Sequence, residues 1–252
     1  PYMSQCFAVL GTPITLTSPD GTFVLKVGGS VQWDTFKKGF TQAQLGRKMW
    51  LQVKDNRLPL KAGGVISFNL KYNESTHRWE HLVWRADLAR DTLVRCGPIK
   101  VWARGGGLTN SADMAFIHGT TRPRLTIKTF TAARAQRLTV GKHRITLAKS
   151  RLVYLWNGKL QAVPLQRPTR LKVGRYAITA SAWSAKAAST SVSFSEDGTV
   201  SSVRPIPGQT LKVHGVSLSW GNVLPREVMF TGKGEVMRVV GVKPFFFRPR
   251  HA

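Results

Sequence analysis

Apolar and polar residues alternate along most of this chain, and turn residues interrupt the alternation at short intervals. A period of two residues is typical of β-strands that bury one face. Three alternating segments carry Asp-Gly or Asn-Gly at their centre, and these dipeptides favour the type I′ turn because both of its central residues need a positive φ. The three predicted hairpins are 14–27 around Asp20-Gly21, 153–163 around Asn157-Gly158 and 191–203 around Asp197-Gly198.

The segments 210–220 and 228–240 are weaker hairpin candidates. Within 171–183, the alternation places Tyr176 and Ile178 on one face and Arg175 on the other. We therefore predict a mainly β fold with antiparallel, sandwich or barrel-like sheets, many hairpins and at most one or two short helices.

One segment fits two patterns. Over 75–93, the apolar residues follow helical spacing, Thr76 is a candidate cap, and Cys96-Gly97-Pro98 would end the helix. The alternative pairs 66–72 with 78–84 as two strands across a turn. The helix is the favoured prediction.

Charge changes the picture more than any motif. The 252 residues include 38 Lys or Arg and 12 Asp or Glu, a formal net charge of +26, and the 82 residues between Asp113 and Glu196 hold 15 cations and no acid. A hydrophobic content of 42% with eight Trp excludes a disordered basic tail. Such charge opposes compaction unless another molecule neutralises it, which favours a polyanionic partner.

The charge distribution also suggests two domains. Eight of the acids lie before residue 114, and the basic block follows. We predict a β-rich domain at 1–120, which includes the candidate helix 75–93. A basic antiparallel β domain is predicted at 121–252, ending in an arm at 243–252. No internal repeat of constant period is evident.

The two cysteines, Cys6 and Cys96, lack the spacing of a zinc site and are expected to be buried free thiols. No apolar run reaches the length of a transmembrane helix. The first residues lack the charged and apolar regions of a signal peptide.

Catalytic motifs are absent from the sequence. It has no nucleophile elbow, no phosphate-binding loop, no dinucleotide fingerprint and no zinc-protease helix. The glycines 105–107 are interpreted as a bulged turn, and the scattered histidines, including His77 and His81, as surface residues. We expect no enzyme activity, no cofactor and no metal.

Binding chemistry is better represented. Arg and Lys bind phosphates, and aromatic rings interleaved with them stack on unpaired bases. No base-reading motif is present, so we expect largely sequence-independent binding, with RNA weakly favoured over DNA. The candidate stacking residues are Trp102, Trp156 and Tyr176. The candidate phosphate-binding residues are Arg122, Arg124, Lys128, Arg134, Arg137, Lys142, Arg144, Lys149, Arg151, Arg167, Arg170, Lys172 and Arg175.

The segment 100–125 resembles the glycine-rich signature of the small-subunit ribosomal protein nine family, which joins a basic residue and three glycines to a later His-Gly and Arg. The resemblance covers 26 of the 252 residues and needs a shift of one residue, and the basic C-terminal tail of the family has no counterpart. It implies RNA as partner and the ribosome as location. The matching residues are Arg104, Gly105, Gly106, Gly107, His118, Gly119 and Arg122.

These observations predict a non-enzymatic structural protein that assembles with nucleic acid and with other protein subunits. A viral or phage virion protein, either capsid or minor structural, is the leading hypothesis, with the virion or host cytoplasm as its location. A ribosomal or organellar-ribosomal RNA-binding protein is the first alternative. An enzyme that processes nucleic acid is the second.

Overall fold

A computed structural model supplies the structure of the protein. All regular secondary structure in the described residues is β-strand, and every described strand pair is antiparallel. The predicted mainly β, antiparallel fold with hairpins is therefore confirmed. The residues described are 5–17, 24–75, 77–105, 114–118 (backbone only), 125–184, 190–221 and 226–241.

Two compact units divide the chain. Unit 1 consists of Pro1–Arg134 and Lys149–Lys159, and unit 2 of Ala135–Ala148 and Leu160–Ala252. Near 135–159 the two units alternate along the chain, because 135–148 belongs to unit 2 and 149–159 to unit 1. The prediction of domains at 1–120 and 121–252 did not include this alternation. That domain division stays a prediction.

Unit 1 contains twelve strands. Eight of them form a sheet in the order β1-β2-β3-β6-β7-β10-β11-β14, and two hairpins, β4–β5 and β8–β9, lie outside it. The strands are β1 (Gln5–Thr17), β2 (Val24–Asp34), β3 (Gly39–Leu45), β4 (Met49–Val53), β5 (Asn56–Leu60), β6 (Val65–Asn73), β7 (Arg78–Ala86), β8 (Thr92–Cys96), β9 (Ile99–Ala103), β10 (Met114–His118), β11 (Leu125–Thr131) and β14 (Leu152–Trp156).

Unit 2 follows the same plan. Its sheet strands lie in the order β15-β18-β19-β22-β23, and three hairpins, β12–β13, β16–β17 and β20–β21, lie outside that order. The strands are β12 (Gln136–Val140), β13 (His143–Leu147), β15 (Lys159–Val163), β16 (Thr169–Val173), β17 (Tyr176–Ala180), β18 (Val192–Phe194), β19 (Val200–Val203), β20 (Thr210–Val213), β21 (Val216–Ser219), β22 (Glu227–Phe230) and β23 (Val236–Val240).

A single excursion repeats along the chain. After every second sheet strand the backbone leaves the sheet, forms a short hairpin, and returns beside the strand that it left. The returns pair β3 with β6, β7 with β10, β11 with β14, β15 with β18, and β19 with β22. We call the five excursions β4–β5, β8–β9, β12–β13, β16–β17 and β20–β21 the side hairpins.

Alternating apolar residues of the side hairpins point into the core. In β12–β13 these are Leu138, Val140, Ile145 and Leu147, each at most 5% exposed. β4–β5, β8–β9 and β16–β17 bury residues at the equivalent positions, such as Leu51 in β4, whereas β20–β21 buries Leu211 alone. Packing of the inward face leaves the outward face of each side hairpin to be decided by something else.

All five predicted hairpins pair as expected. The strands flanking Asp197-Gly198 and those within 210–220 and 228–240 form antiparallel pairs. Asn157 and Gly158 have φ values of 53° and 78°, as a type I′ turn requires. For 14–27, β1 pairs with β2, whereas the turn at Asp20-Gly21 lies outside the described residues, as does the predicted arm 243–252.

The predicted helix at 75–93 is wrong. The segment contains all of β7, a loop and the start of β8. β7 pairs with β6 in a register that places Tyr72 opposite Trp79. Asn73 begins the connecting turn, because its Oδ1 accepts a hydrogen bond from Ser75 N at 2.9 Å. Short apolar segments fit both periods, and the long ladder with β6 decides between them.

The cysteine prediction is half right. Both thiols are free, but Cys6 is exposed and only Cys96 is buried. Burial raises the pKa of the Cys96 thiol to about 12, so this sulfur behaves as a small apolar group.

Candidate nucleic-acid interface

The outward faces of the side hairpins in unit 2 are basic. Residues directly opposite each other in an antiparallel pair point to the same face. In β12–β13, Arg137 lies opposite Thr146 and Arg144 opposite Thr139. These positions alternate with the buried ones, so both guanidinium groups point outward.

The next two side hairpins repeat this arrangement. Arg170 and Lys172 lie opposite Thr179 and Ala177 in β16–β17, and Lys212 lies opposite Ser217 in β20–β21. All five cations are exposed. We define the unit 2 basic face as Arg137, Arg144, Arg170, Lys172 and Lys212.

Backbone hydrogen bonds hold successive side hairpins beside one another. Gln166 N, ahead of β16, donates to Thr146 O of β13 at 2.8 Å, and Ile206 N, ahead of β20, donates to Thr179 O of β17 at 3.1 Å. Unit 1 repeats this bond where Ala89 N donates to Pro59 O at 2.8 Å. The cations therefore stand on a fixed ladder rather than on independent loops.

In unit 1 the same outward positions carry aromatic and apolar residues as well as cations. Trp50 is 48% exposed, and the Arg57 guanidinium lies 4.6 Å from the centre of its ring. In β8–β9, Leu93 lies opposite Trp102, and Arg95 opposite Lys100. We define the unit 1 aromatic face as Trp50, Arg57, Leu93, Arg95, Lys100 and Trp102.

An asparagine joins the two side hairpins of unit 1. Asn56 Oδ1 accepts from Arg95 N at 2.7 Å, and Asn56 Nδ2 donates to Arg95 O at 3.1 Å. This pair of bonds fixes the β8 backbone against β5. It thereby orients Arg95 toward solvent.

Several acids of the protein serve backbone amides rather than cations. Asp34 Oδ1 accepts from the amides of Phe36 and Lys37, and Asp87 Oδ2 accepts from Val65 N. Asp91 Oδ1 accepts from Gly105 N. These carboxylates bind backbone amides, and those hydrogen bonds do not neutralise the side-hairpin cations.

One predicted cation does have an acidic partner. Arg175 Nη2 lies 3.3 Å from Glu235 Oε2 and 3.1 Å from the Tyr176 hydroxyl. Its bond to Tyr176, followed by the charge of Glu235, raises the pKa of Arg175. Arg175 is therefore less available to a phosphate than its neighbours Arg170 and Lys172.

A cleft of about 230 Å³ in unit 2 lies among four hairpin turns and is lined in part by Lys142, Lys172 and Lys233. Asp197 also lines it, but its Oδ1 accepts from Thr199 N and Oγ1 within the same turn. The dimensions and the cations of this cleft suit a phosphate group.

Two pairs of glycines bring those turns together. A Cβ added at Gly174, whose φ is 55°, would lie 2.6 Å from Gly234 O, and one at Gly141 would lie 2.7 Å from Gly198 O. Only glycine permits both this conformation and this approach.

The structure brings only some of the predicted phosphate-binding residues together. Arg137, Arg144, Arg170 and Lys172 share the unit 2 basic face, and Lys142 shares the cleft with Lys172. Exposed Arg167 lies in the loop before β16. The residues placed in unit 1 are Lys128, Arg134, Lys149 and Arg151, and those outside the described residues are Arg122 and Arg124.

The three candidate stacking residues differ in access. Trp156 is 56% exposed at its hairpin turn. Trp102 is half-buried, and the Arg134 guanidinium covers it at 4.4 Å. Tyr176 is 5% exposed with its ring 6.3 Å from that of Phe230, so it packs in the core and offers no face to a base.

Sequence reasoning missed Arg57, Arg95 and Lys212. They occupy the same outward positions as the cations that it found, but they lie outside the acid-free run on which the prediction depended. A repeated hairpin motif could have identified them. It consists of an apolar residue, any residue, a small apolar residue and a two-residue turn. Examples are Leu138–Leu147 and 171–180.

A buried arginine was also missed. Arg204 is 5% exposed, its Nε donates to Ser181 Oγ at 2.7 Å, and its Nη2 donates to Ala182 O at 2.7 Å. Burial, followed by the nearby charge of Arg226, lowers the pKa of Arg204. This side chain fixes the segment 181–182 beside β19 and is structural.

His81 is also structural. It lies in β7, where its Nε2 accepts from Phe40 N at 2.9 Å and burial lowers its pKa. The described residues contain no group of three His, Cys, Asp or Glu side chains that could hold a metal ion. Nor does the described part of the chain include a helix of the length and apolar character that crossing a membrane requires.

The fold and interface define a repetitive, all-β protein with basic hairpin faces. Comparison with protein-family models, with curated proteins and with solved structures finds no match. The resemblance of 100–125 to the ribosomal family therefore has no family match to support it. Of its residues, Arg104 and Gly105 are described in full, and His118 only by its backbone.

Proposed function

We propose that this protein is a non-enzymatic structural protein that assembles with nucleic acid through the outward faces of its side hairpins. The observation that carries the proposal is the division of labour between the charges. Acids such as Asp34, Asp87 and Asp91 bind backbone amides, while the unit 2 basic face points into solvent.

The spacing of the cations supports a polymeric rather than a small partner. Arg137 and Arg144 lie on one side hairpin, Arg170 and Lys172 on the next, and Lys212 on a third. A chain of phosphates can contact every rung of such a ladder, whereas a small anion can contact one or two. Each neutralised phosphate also releases counter-ions, which makes the binding favourable at low salt.

The chemistry of the face supports sequence-independent binding. Its cations alternate with Thr and Ser, whose hydroxyl groups can contact phosphates, and with Ala. None of these side chains offers a flat surface to bases. Contacts to phosphates set position and carry no sequence information. We therefore expect similar affinity for nucleic acids of different sequence.

Within this class, a viral or phage virion protein remains our proposal, because particle proteins combine a folded β body with nucleic-acid contacts and self-assembly. The virion or host cytoplasm would be its location. A ribosomal protein is the alternative that the same basic faces leave open.

A salt titration tests the proposal. Affinity for single-stranded RNA and for duplex DNA is measured between 50 mM and 500 mM NaCl, with three unrelated sequences of each. We expect log K to fall linearly with log salt, with a slope of about −3 or steeper from the five cations of the unit 2 basic face. Affinity that stays constant across this salt range would refute the proposal and would indicate an uncharged partner surface.

A further inference from the structure

The first strand of unit 1 has a free edge among the described residues. β1 ends the order of sheet strands there and pairs with β2 alone. It is 13 residues long, and Gln5–Val9 are all exposed. Phe7 and Val9 lie on one face and are 80% and 78% exposed.

This edge lacks the protection that sheet edges usually have. A free edge presents unpaired amides and carbonyls, and natural proteins guard it with charge, proline or short length. β1 contains no Lys, Arg, Asp or Glu, and its single proline, Pro13, lies beyond the regular segment that ends at Leu10. In unit 2, by contrast, the terminal strand β23 has five residues and carries Arg238.

The lack of charge limits what can cover β1. A nucleic acid would find no cation on the strand. Two copies of a chain with a net charge of +26 repel each other, and an uncharged strip is where their backbones can meet with least repulsion. The side chains of residues 6–10 in β1 are also apolar, which suits a protein partner.

We propose that β1 is a self-association edge, which pairs antiparallel with β1 of a second copy across a two-fold axis and extends the sheet. An axis through Ala8 places Phe7 opposite Val9 of the copy and Cys6 opposite Leu10 of the copy. Each apolar side chain then meets another apolar one on the same face. Placement of the axis at Ala8 joins the two exposed large apolar residues of the strand, Phe7 and Val9.

The inference is independent of nucleic-acid binding, because the strand and the basic faces share no residue. The oligomeric state is measured by size-exclusion chromatography with light scattering, across 1 to 100 μM protein in 0.5 M NaCl, where residual nucleic acid is displaced. We expect a dimer. Phe7→Lys should raise the dissociation constant at least tenfold, because it places two ammonium groups beside each other in the dimer.

Phe36→Lys is the matched control, because Phe36 is also 80% exposed but lies in the turn after β2. It adds the same charge and should leave the dimer intact. Register is tested by Ala8→Cys in a Cys6→Ser background, which should form a disulfide-linked dimer under mild oxidation, whereas Phe36→Cys should not.

A monomer at every concentration would overturn the inference, as would a dimer that Phe7→Lys does not weaken or that Ala8→Cys does not cross-link. Retained RNA affinity in Phe7→Lys would show that the two interfaces are separate. Loss of the dimer in that variant together with normal RNA binding is the expected outcome. Failure of RNA binding alone would count against the proposed function and leave this interface standing.

Discussion

The side hairpins of the two units share their buried face and differ in their outward face. The inward positions hold apolar residues that pack into a core, such as Leu51 in unit 1 and Leu138 in unit 2. The outward positions hold Trp50, Leu93 and Trp102 in unit 1, but only cations, Thr, Ser and Ala in unit 2. Packing therefore explains the common half of the motif, and we propose that the partner explains the half that varies.

This difference predicts different roles in the proposed assembly. Flat rings with stacked guanidinium groups suit unpaired bases, and bare cations suit phosphates. Unit 1 is therefore expected to distinguish single strands from duplexes, and unit 2 to supply affinity without that distinction.

The largest expected effect comes from neutralising unit 2. The variant Arg137→Gln, Arg144→Gln, Arg170→Gln, Lys172→Gln should lose on the order of 100-fold in RNA affinity at about 0.15 M salt, and its log–log salt slope should become shallower by about 3. The reason is the loss of four phosphate contacts. Filter binding or fluorescence anisotropy measures both quantities.

The matched control removes four exposed cations from sheet strands: Lys26→Gln, Lys71→Gln, Arg78→Gln, Arg238→Gln. Both variants lose the same net charge and differ only in where it was. The control should change affinity several times less. Equal losses in the two variants would mean that total charge, and no particular face, governs binding.

The next effect concerns how each unit fixes its segments. Arg204→Met in unit 2 should lower the free energy of unfolding by about 3 kcal/mol, because it leaves Ser181 Oγ and Ala182 O without a charged donor. In unit 1, Asn56→Leu breaks only the neutral bonds to Arg95 and should cost about 1.5 kcal/mol. Urea denaturation measures both, with exposed Arg167→Met as a variant that should match the parent protein. If Asn56→Leu lowers the free energy of unfolding more than Arg204→Met does, Asn56 and not Arg204 makes the larger contribution to stability.

Removal of an exposed ring should have a smaller and more selective effect. Trp50→Ala is expected to reduce affinity for single-stranded RNA about tenfold, since stacking on one base contributes roughly 1–3 kcal/mol. Duplex affinity should change little. Thr139→Ala, on a unit 2 outward face, removes a single hydroxyl contact to a phosphate and should reduce both affinities slightly and to the same extent. A parallel loss for single strands and duplexes in Trp50→Ala would remove the proposed distinction between the units.

Acid should produce the smallest effect. Burial lowers the pKa of His81 in unit 1, and burial followed by the charge of Lys142 lowers the pKa of His143 in unit 2. The unfolded chain therefore takes up protons first, at about pH 6.5. Stability should be constant above that pH, fall as the pH drops below it, and level off once the folded histidines are protonated.

Urea midpoints between pH 8 and pH 5 measure this dependence. His81→Gln and His143→Gln should each remove part of it. If midpoints rise as the pH falls from 6.5, the inferred pKa shifts have the wrong sign.

Local patterns predict much of this fold. The alternation and the Asn-Gly and Asp-Gly turns predict the five hairpins, because turn conformation and strand alternation are set by near neighbours. The strand β7 was mistaken for helix because only the distant partner β6 distinguishes the two periods there. The repeated excursion was missed because the side hairpins begin at unequal intervals, which hides a motif of ten residues.

The candidate site could be predicted only in part. Cations such as Arg137 and Arg170 were found because the run without acids drew attention to them. Arg57 and Lys212 occupy the same outward hairpin positions but lie outside the acid-free run between Asp113 and Glu196. The ion pair of Arg175 and the burial of Tyr176 depend on β23 and β22, which no local pattern connects to residues 175 and 176.

Lysine footprinting shows whether nucleic acid binds the unit 2 basic face. The protein, free and saturated with single-stranded RNA, is treated briefly with an acetylating reagent, and modification of each lysine is quantified by mass spectrometry. We predict strong protection of Lys172 and Lys212 on the unit 2 basic face and of Lys142 in the cleft, with Lys26 and Lys71 reacting equally in both states. Uniform protection of all five lysines, or protection confined to the sheet strands, would contradict binding through the unit 2 basic face.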